Sequence, residues 1–205
     1  MANAARSRER STTEQRPHVH APPGLVSGVV FLTTRRYIVV RFRPGTLRNV
    51  AKCLEPDACQ ALLSPDVESW YPEATLHALM QAAYQRLAGW EPQLYRALVF
   101  DIALFGLRTR FRSAMHMGGA HRALQQLPEL WQLLQSGPHV GVRADTTDAM
   151  VLVEDCPAAS DPHFQGALMA VVAALLYAVS GVKHGVQLLR LENDRLELRV
   201  RGLSS

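Results

Sequence analysis

Residues 164–181 form a run of eighteen without one charged side chain. A segment this long and apolar has to be buried in a protein core or lie in a bilayer. Its flanks separate the two. With Thr146-Thr147 as a tight turn, the pairs Ala144/Ala149, Val142/Val151 and Val140/Val153 share one face. Arg143/Met150, Gly141/Leu152 and His139/Glu154 share the other. With Asn193-Asp194 as a second turn, Leu191 faces Leu196 and Leu189 faces Leu198 on the inner side. Arg190 then opposes Glu197, and Glu192 opposes Arg195, on the outer side; Asn-Asp suits the positive φ of a hairpin turn. The order is hairpin, apolar helix, hairpin.

A helix of eighteen residues reaches roughly 27 Å, short of the ~20 residues a bilayer asks for. Spanning would also leave each hairpin alone in water, where a lone pair of strands is marginal. No integral membrane span is therefore expected. Burial against one four-stranded antiparallel sheet satisfies both flanks. Gly166, Ala170, Ala174 and Ala178 recur every fourth residue, so a second backbone can approach that side. Leu168, Val172, Leu175 and Val179 fill the opposite one.

The rest of the chain reads mostly as helix. A short strand is expected near 26–31, with an Arg-rich helix from about Thr34 to Pro44-Gly45. Thr46 is expected to cap a second helix, and Glu55-Pro56-Asp57 to open a third ending at Leu63. Trp70-Tyr71-Pro72 reads as the opening of a long helix stopped by Gly89, and Pro92 as the start of another running into the basic stretch Arg108–Arg112. Gly118-Gly119 interrupts, and a last helical stretch carries Leu130, Trp131, Leu133 and Leu134. The fold class is α+β: N-terminal helices packed on a four-stranded antiparallel sheet.

At 205 residues and 48% hydrophobic, the chain can build one substantial core, assigned to residues 24–203. Residues 1–23 lack large apolar side chains and read as a disordered tail without a secretory signal. Arg6, Arg8, Arg10 and Arg16 against Glu9 and Glu14 put +2 of the net +4 there. An excess that small does not mark a nucleic-acid binder, so no nucleic acid is expected as a partner. The three cysteines, Cys53, Cys59 and Cys156, form no disulfide framework and suit a cytoplasmic protein.

No catalytic motif is legible: there is no Gly-x-Ser-x-Gly, phosphate loop, HExxH or CxxC. The eight histidines are scattered, with His116 and His121 the nearest pair inside the domain, and no metal site is expected. The arginines at 35, 36, 41, 43 and 48, and at 108, 110 and 112, read as solvated helix faces. Trp70, Tyr71, Tyr84 and Trp131 are large anchors for a core or an apolar pocket.

Gly28-x-x-Phe31, the Arg-rich helix, Arg43-Pro44-Gly45-Thr46-Leu47, Trp70-Tyr71-Pro72, Leu127-Pro128-Glu129-Leu130-Trp131 and the hairpin–helix–hairpin ending resemble an uncharacterised myxobacterial family of similar length. That family is similar in layout to haem-based nitric-oxide sensors, vinyl-reductase-type sensor domains and the TRAPP-type subunits of Golgi tethering complexes. The resemblance implies helices on a four-stranded sheet, an apolar pocket between them and a homodimer. It places His121 roughly where the gas sensors hold their iron-binding histidine. Their Tyr-x-Ser-x-Arg propionate clamp is missing, since residues 149–153 read Ala-Met-Val-Leu-Val. No haem or other cofactor is therefore expected.

The resulting expectation is a non-enzymatic, sensor-like regulatory domain that binds a small apolar ligand or a protein partner. Its conjectured ligand contacts are Trp70, Tyr71, Tyr84, Trp131, Leu168 and Val172. The alternatives are a ligand-free adaptor of the TRAPP type and a haem-based gas sensor using His121.

Overall fold

Ser27 decides where the first helix begins. Its hydroxyl accepts from the Val29 N–H at 3.3 Å, so the strand β1 stops at Leu25–Ser27 and the helix α1 runs Gly28–Arg41. Val29, Val30 and Phe31, expected in the strand, are helical, because a short apolar run suits either state until a cap settles it. The computed structural model describes residues 24–111, 118–145 and 147–203. The expected tail, Arg112, His116 and Thr146 lie outside these residues.

Two more helix starts move by a residue or so. Gly45, at φ 92°, occupies the position before α2 (Thr46–Ala51), so Thr46 is the first helical residue instead of the cap. Trp70–Pro72 is a strand, β2, paired antiparallel with β1. The helix α4 (Glu73–Arg86) follows directly. Between them lies α3 (Pro56–Leu63), opened by proline as its sequence requires. The helix α5 (Pro92–Thr109) also begins on a proline, and α6 (Ala120–Gln125) and α7 (Leu127–Gln132) split the final helical stretch after Gly118 and Gly119, both at positive φ.

The sheet holds β3 (His139–Ala144), β4 (Asp148–Glu154), β5 (Gly185–Glu192) and β6 (Arg195–Arg201) in the order β3-β4-β6-β5, all neighbours antiparallel. Every predicted β3–β4 pair is present, from His139/Glu154 to Ala144/Ala149. In the second hairpin, Leu191/Leu196, Arg190/Glu197 and Glu192/Arg195 hold, but an irregularity between Leu188 and Arg190 shifts the rest. Leu188, and not Leu189, therefore faces Leu198. Two adjacent leucines offer the same side chain to that slot, and the extra residue is taken up as a bulge.

The apolar run becomes α8 (Pro162–Ser180). Asp161 caps it by accepting from the His163 N–H at 2.8 Å, and Gly181 ends it at φ 71°. Its larger side chains, including Val172 and Leu176, share a cluster with Val151, Val153, Leu196 and Leu198, all fully buried. Its other side meets α5. Arg96 Cγ lies 3.3 Å from where a Cβ would stand on Gly166, so the small residue permits that approach. Tyr95 beside His163 and Phe100 beside Tyr177 show that the two helices run in the same direction.

Among the described residues α8 is the one helix long and apolar enough to cross a membrane, and these contacts make it a core helix. The expectation of N-terminal helices on the sheet needs correcting. Helices α6 to α8 meet the sheet, whereas α1 to α4 gather round a separate cluster of Val26, Phe31, Val50, Leu62 and Leu79.

Two aspartates tie loops by accepting N–H groups. Asp66 accepts from the Glu68 N–H at 3.0 Å and the Ser69 hydroxyl at 2.7 Å, and Asp145 from the Thr147 and Asp148 N–H groups at 3.0 and 2.9 Å. These bonds hold both carboxyls below their ordinary value of 3.8. A carboxylate stabilised in the fold contributes at pH values above its unfolded pKa, and the contribution is lost as pH falls through the lower folded value. The urea midpoint is expected to drop between about pH 5 and pH 3, with less of a drop in Asp66→Asn and Asp145→Asn.

Candidate functional site

An apolar cavity of about 220 Å³ lies where α1, α4, α5, α7 and α8 converge. Its walls include Val29 and Val30 of α1, Leu79 and Met80 of α4, Leu98 and Ile102 of α5, Leu127 and Leu130 of α7, and Leu168, Val171 and Leu175 of α8. No residue of the four-stranded sheet lines it. The pocket expected between helices and sheet thus lies between helices, because the sheet-facing side of α8 is already filled. Gly106 lets α1 close one wall: Thr33 Cγ2 sits 2.9 Å from the place a Cβ would occupy.

The described lining has few polar groups and no charged one. The Thr34 hydroxyl donates to Val30 O at 2.9 Å, and the Gln135 amide donates to Glu73 Oε1 at 2.7 Å. Tyr95 and Trp131 differ, since Tyr95 Oη and Trp131 Nε1 are buried without a hydrogen-bond partner among the described residues. The Tyr95 ring packs edge-on to Tyr84 and His163, at 5.4 and 5.9 Å between centroids. Burial, with the nearby charge of Asp161 adding to it, pushes the Tyr95 phenol well above its usual range, so it stays a neutral donor.

Of the six conjectured contacts, Trp131 and Leu168 line this cavity. Trp70 and Tyr71 sit in β2, with Tyr71 Oη accepting from the Asp66 N–H at 2.9 Å and its ring 4.9 Å from Phe31. Tyr84 donates its hydroxyl to Trp90 O beside the cavity, and Val172 faces the sheet. Tyr95 was legible only as one residue of an apolar helical stripe. A phenol on the inward side of such a stripe is the signal that marks it, since its oxygen needs a partner when buried.

His121, the second residue of α6, is partly exposed and helps lower the Asp145 carboxyl. It does not line the cavity. Among the described residues no group of His, Cys, Asp and Glu could hold a metal ion.

The cysteines divide by burial. Cys156 is fully buried, which pushes its thiol up to about 11, while Cys53 and Cys59 are partly exposed. Since thiolate and access govern reaction with disulfide reagents, Cys53 and Cys59 are expected to label in the native protein. Cys156 should label only after unfolding, as read by mass spectrometry of the labelled peptides.

No family model and no curated protein matches the sequence. Solved structures do match in shape. An H-NOX protein from K. algicida, in its Fe(II) unliganded form, superposes with a TM-score of 0.64 at 8% identity, covering 87% of this chain and 97% of that one. An H-NOX protein from S. oneidensis in the Fe(II)NO state gives 0.63 at 14% identity, with 86% and 98% covered. A third, solved to probe haem distortion in the H-NOX family, gives 0.59 at 8% identity, with 85% and 93% covered. These haem-binding neighbours overturn the expectation of a cofactor-free domain, which rested on a missing clamp motif: at 8% identity a short motif says little about a shared fold. Across most of its length, this chain has the fold of the H-NOX domains.

Proposed function

We propose that the chain is a sensor-type ligand-binding domain whose cavity takes a small, mainly apolar molecule. One observation carries the reading: a hydrocarbon-lined space of about 220 Å³, inside a fold of which one solved example is in an Fe(II)NO ligation state, is kept open by five converging helices. Such a space gains from any apolar occupant that restores the packing contacts its walls lack. The test is native mass spectrometry of gently purified protein, with displacement of a solvatochromic naphthalene dye. Ala103→Phe fills the space from α5 and should abolish dye binding while leaving the thermal midpoint unchanged or higher. Equal dye binding by Ala103→Phe and the unaltered protein would sink the reading.

Haem is a second reading, favoured by the fold comparison. Among the described lining residues, Tyr95 and Met80 can ligate iron. The buried phenol of Tyr95 would first have to surrender a firmly held proton. The cavity also falls below the ~300–1,000 Å³ of sites for drug-sized ligands, so a porphyrin would enter only with the helices parted. Bound haem would supply an iron able to take a diatomic gas. Haemin titration followed at the Soret band tests this, and a band altered in Tyr95→Phe or Met80→Leu would name the ligand. A flat titration would remove haem and leave the smaller apolar ligand.

A further inference from the structure

The cavity contains two hydrogen-bond donors for which the described residues provide no acceptor. Tyr95 and Trp131 are only 2% and 8% exposed, and both line the space. Among the described residues neither Tyr95 Oη nor Trp131 Nε1 has a partner. An indole N–H can only donate, and the protonated phenol donates as well. Leaving such groups unpaired in hydrocarbon is costly, and native proteins rarely do so without a reason.

Both donors belong to the end of the cavity at which α8 starts. Tyr95 packs on His163 of the first helical turn. Trp131 shares a cluster with Phe164 and Leu168. One turn beyond it, Gln135 donates to Glu73, and the adjacent His77 packs edge-on to Phe164.

We propose that, granted the ligand-binding reading above, the ligand is a neutral apolar molecule presenting a carbonyl or ether oxygen to Tyr95 and Trp131. Charge excludes the anionic version. Among the described residues no Lys, Arg or His lines the space, so a carboxylate would find no counter-ion among them. Asp161 acts on Tyr95 with negative charge, and Glu73 stands behind Gln135, so these two carboxylates disfavour an anion.

A matched pair of probes tests this: α-tetralone, which has the carbonyl, and tetralin, the same skeleton without it. Titration calorimetry on the full chain should show tetralone binding about tenfold tighter. Tyr95→Phe and Trp131→Phe should each shrink that advantage, and the double variant should abolish it, so that the two probes bind it alike. Removing the unpartnered hydroxyl in Tyr95→Phe is nearly neutral for the fold, Trp131→Phe also trims a buried ring, and thermal melts verify that each variant is folded. Equal affinity for both probes, an advantage surviving in the double variant, or naphthoate binding as tightly as tetralone at neutral pH would overturn the inference but leave the ligand-binding reading intact. Failure of both probes to bind would overturn the inference and the ligand-binding reading together.

Discussion

Leu176→Lys is expected to leave the protein largely unfolded. Leu176 is 0% exposed and clusters with Val151, Val153, Leu196 and Leu198, each also at 0%. An ammonium there has no counter-ion, so lysine must either bury a charge or lose its proton in a site shaped for a leucine. The cost should exceed about 4 kcal/mol, against a total stability of about 5–15 kcal/mol for a folded domain. The control is Gln132→Lys at the exposed C-terminal end of α7, where a cation suits the helix dipole and the change should stay within about 0.5 kcal/mol. Urea denaturation followed by circular dichroism reads both. A Leu176→Lys protein unfolding within about 1 kcal/mol of the unaltered one would mean that α8 is not sandwiched between the sheet and α5.

That helix was the most legible part of the chain, and the reason is physical. A long uncharged run fits few environments, and period-two alternation on both sides supplied a sheet to cover it. The β3–β4 register followed because a slip of one residue would have turned Val140, Val142, Val151 and Val153 to the outer face. The second hairpin was harder to read. Leu188 and Leu189 are equivalent by pattern, and only the packed sheet shows which one meets Leu198.

The cavity was not legible from the residues themselves, because an apolar lining and a filled core have the same composition, and only the resemblance implied a pocket. Trp131 and Leu168 were named as contacts, while Val172 belongs to the sheet side and its neighbour Val171 to the cavity. One residue along a helix turns a side chain by about 100°, finer than a hydrophobic run can specify. The cofactor was misread for a different reason. A missing polar triplet was taken to decide what the fold as a whole can accommodate, yet function resides in the site and has to be tested there.

The strand-to-helix junction at Gly28 was also misread, and it carries the second large expectation. Gly28→Ala should destabilise the protein by about 3 kcal/mol, although alanine is the better helix former by about 1 kcal/mol. A Cβ on Gly28 would stand 1.8 Å from Asp66 O and 2.8 Å from Asp66 C. Both are backbone atoms, so no side chain can swing away. The loop itself would have to move, and with it the Gly28 N–H bond to Ser69 O at 2.9 Å and the adjoining Ser27/Trp70 pair of β1 and β2. At about 2–4 °C per kcal/mol for a chain of this size, the melting temperature should fall by about 6–12 °C. Gly185→Ala is the contrast, since a Cβ there meets nothing within 4 Å, and its effect should be slight. The comparison isolates close backbone approach from glycine's flexibility. If Gly28→Ala melted at or above the unaltered protein, helix propensity would outweigh the clash, and the loop of residues 64–69 would have to be looser than its contacts with Gly28 imply.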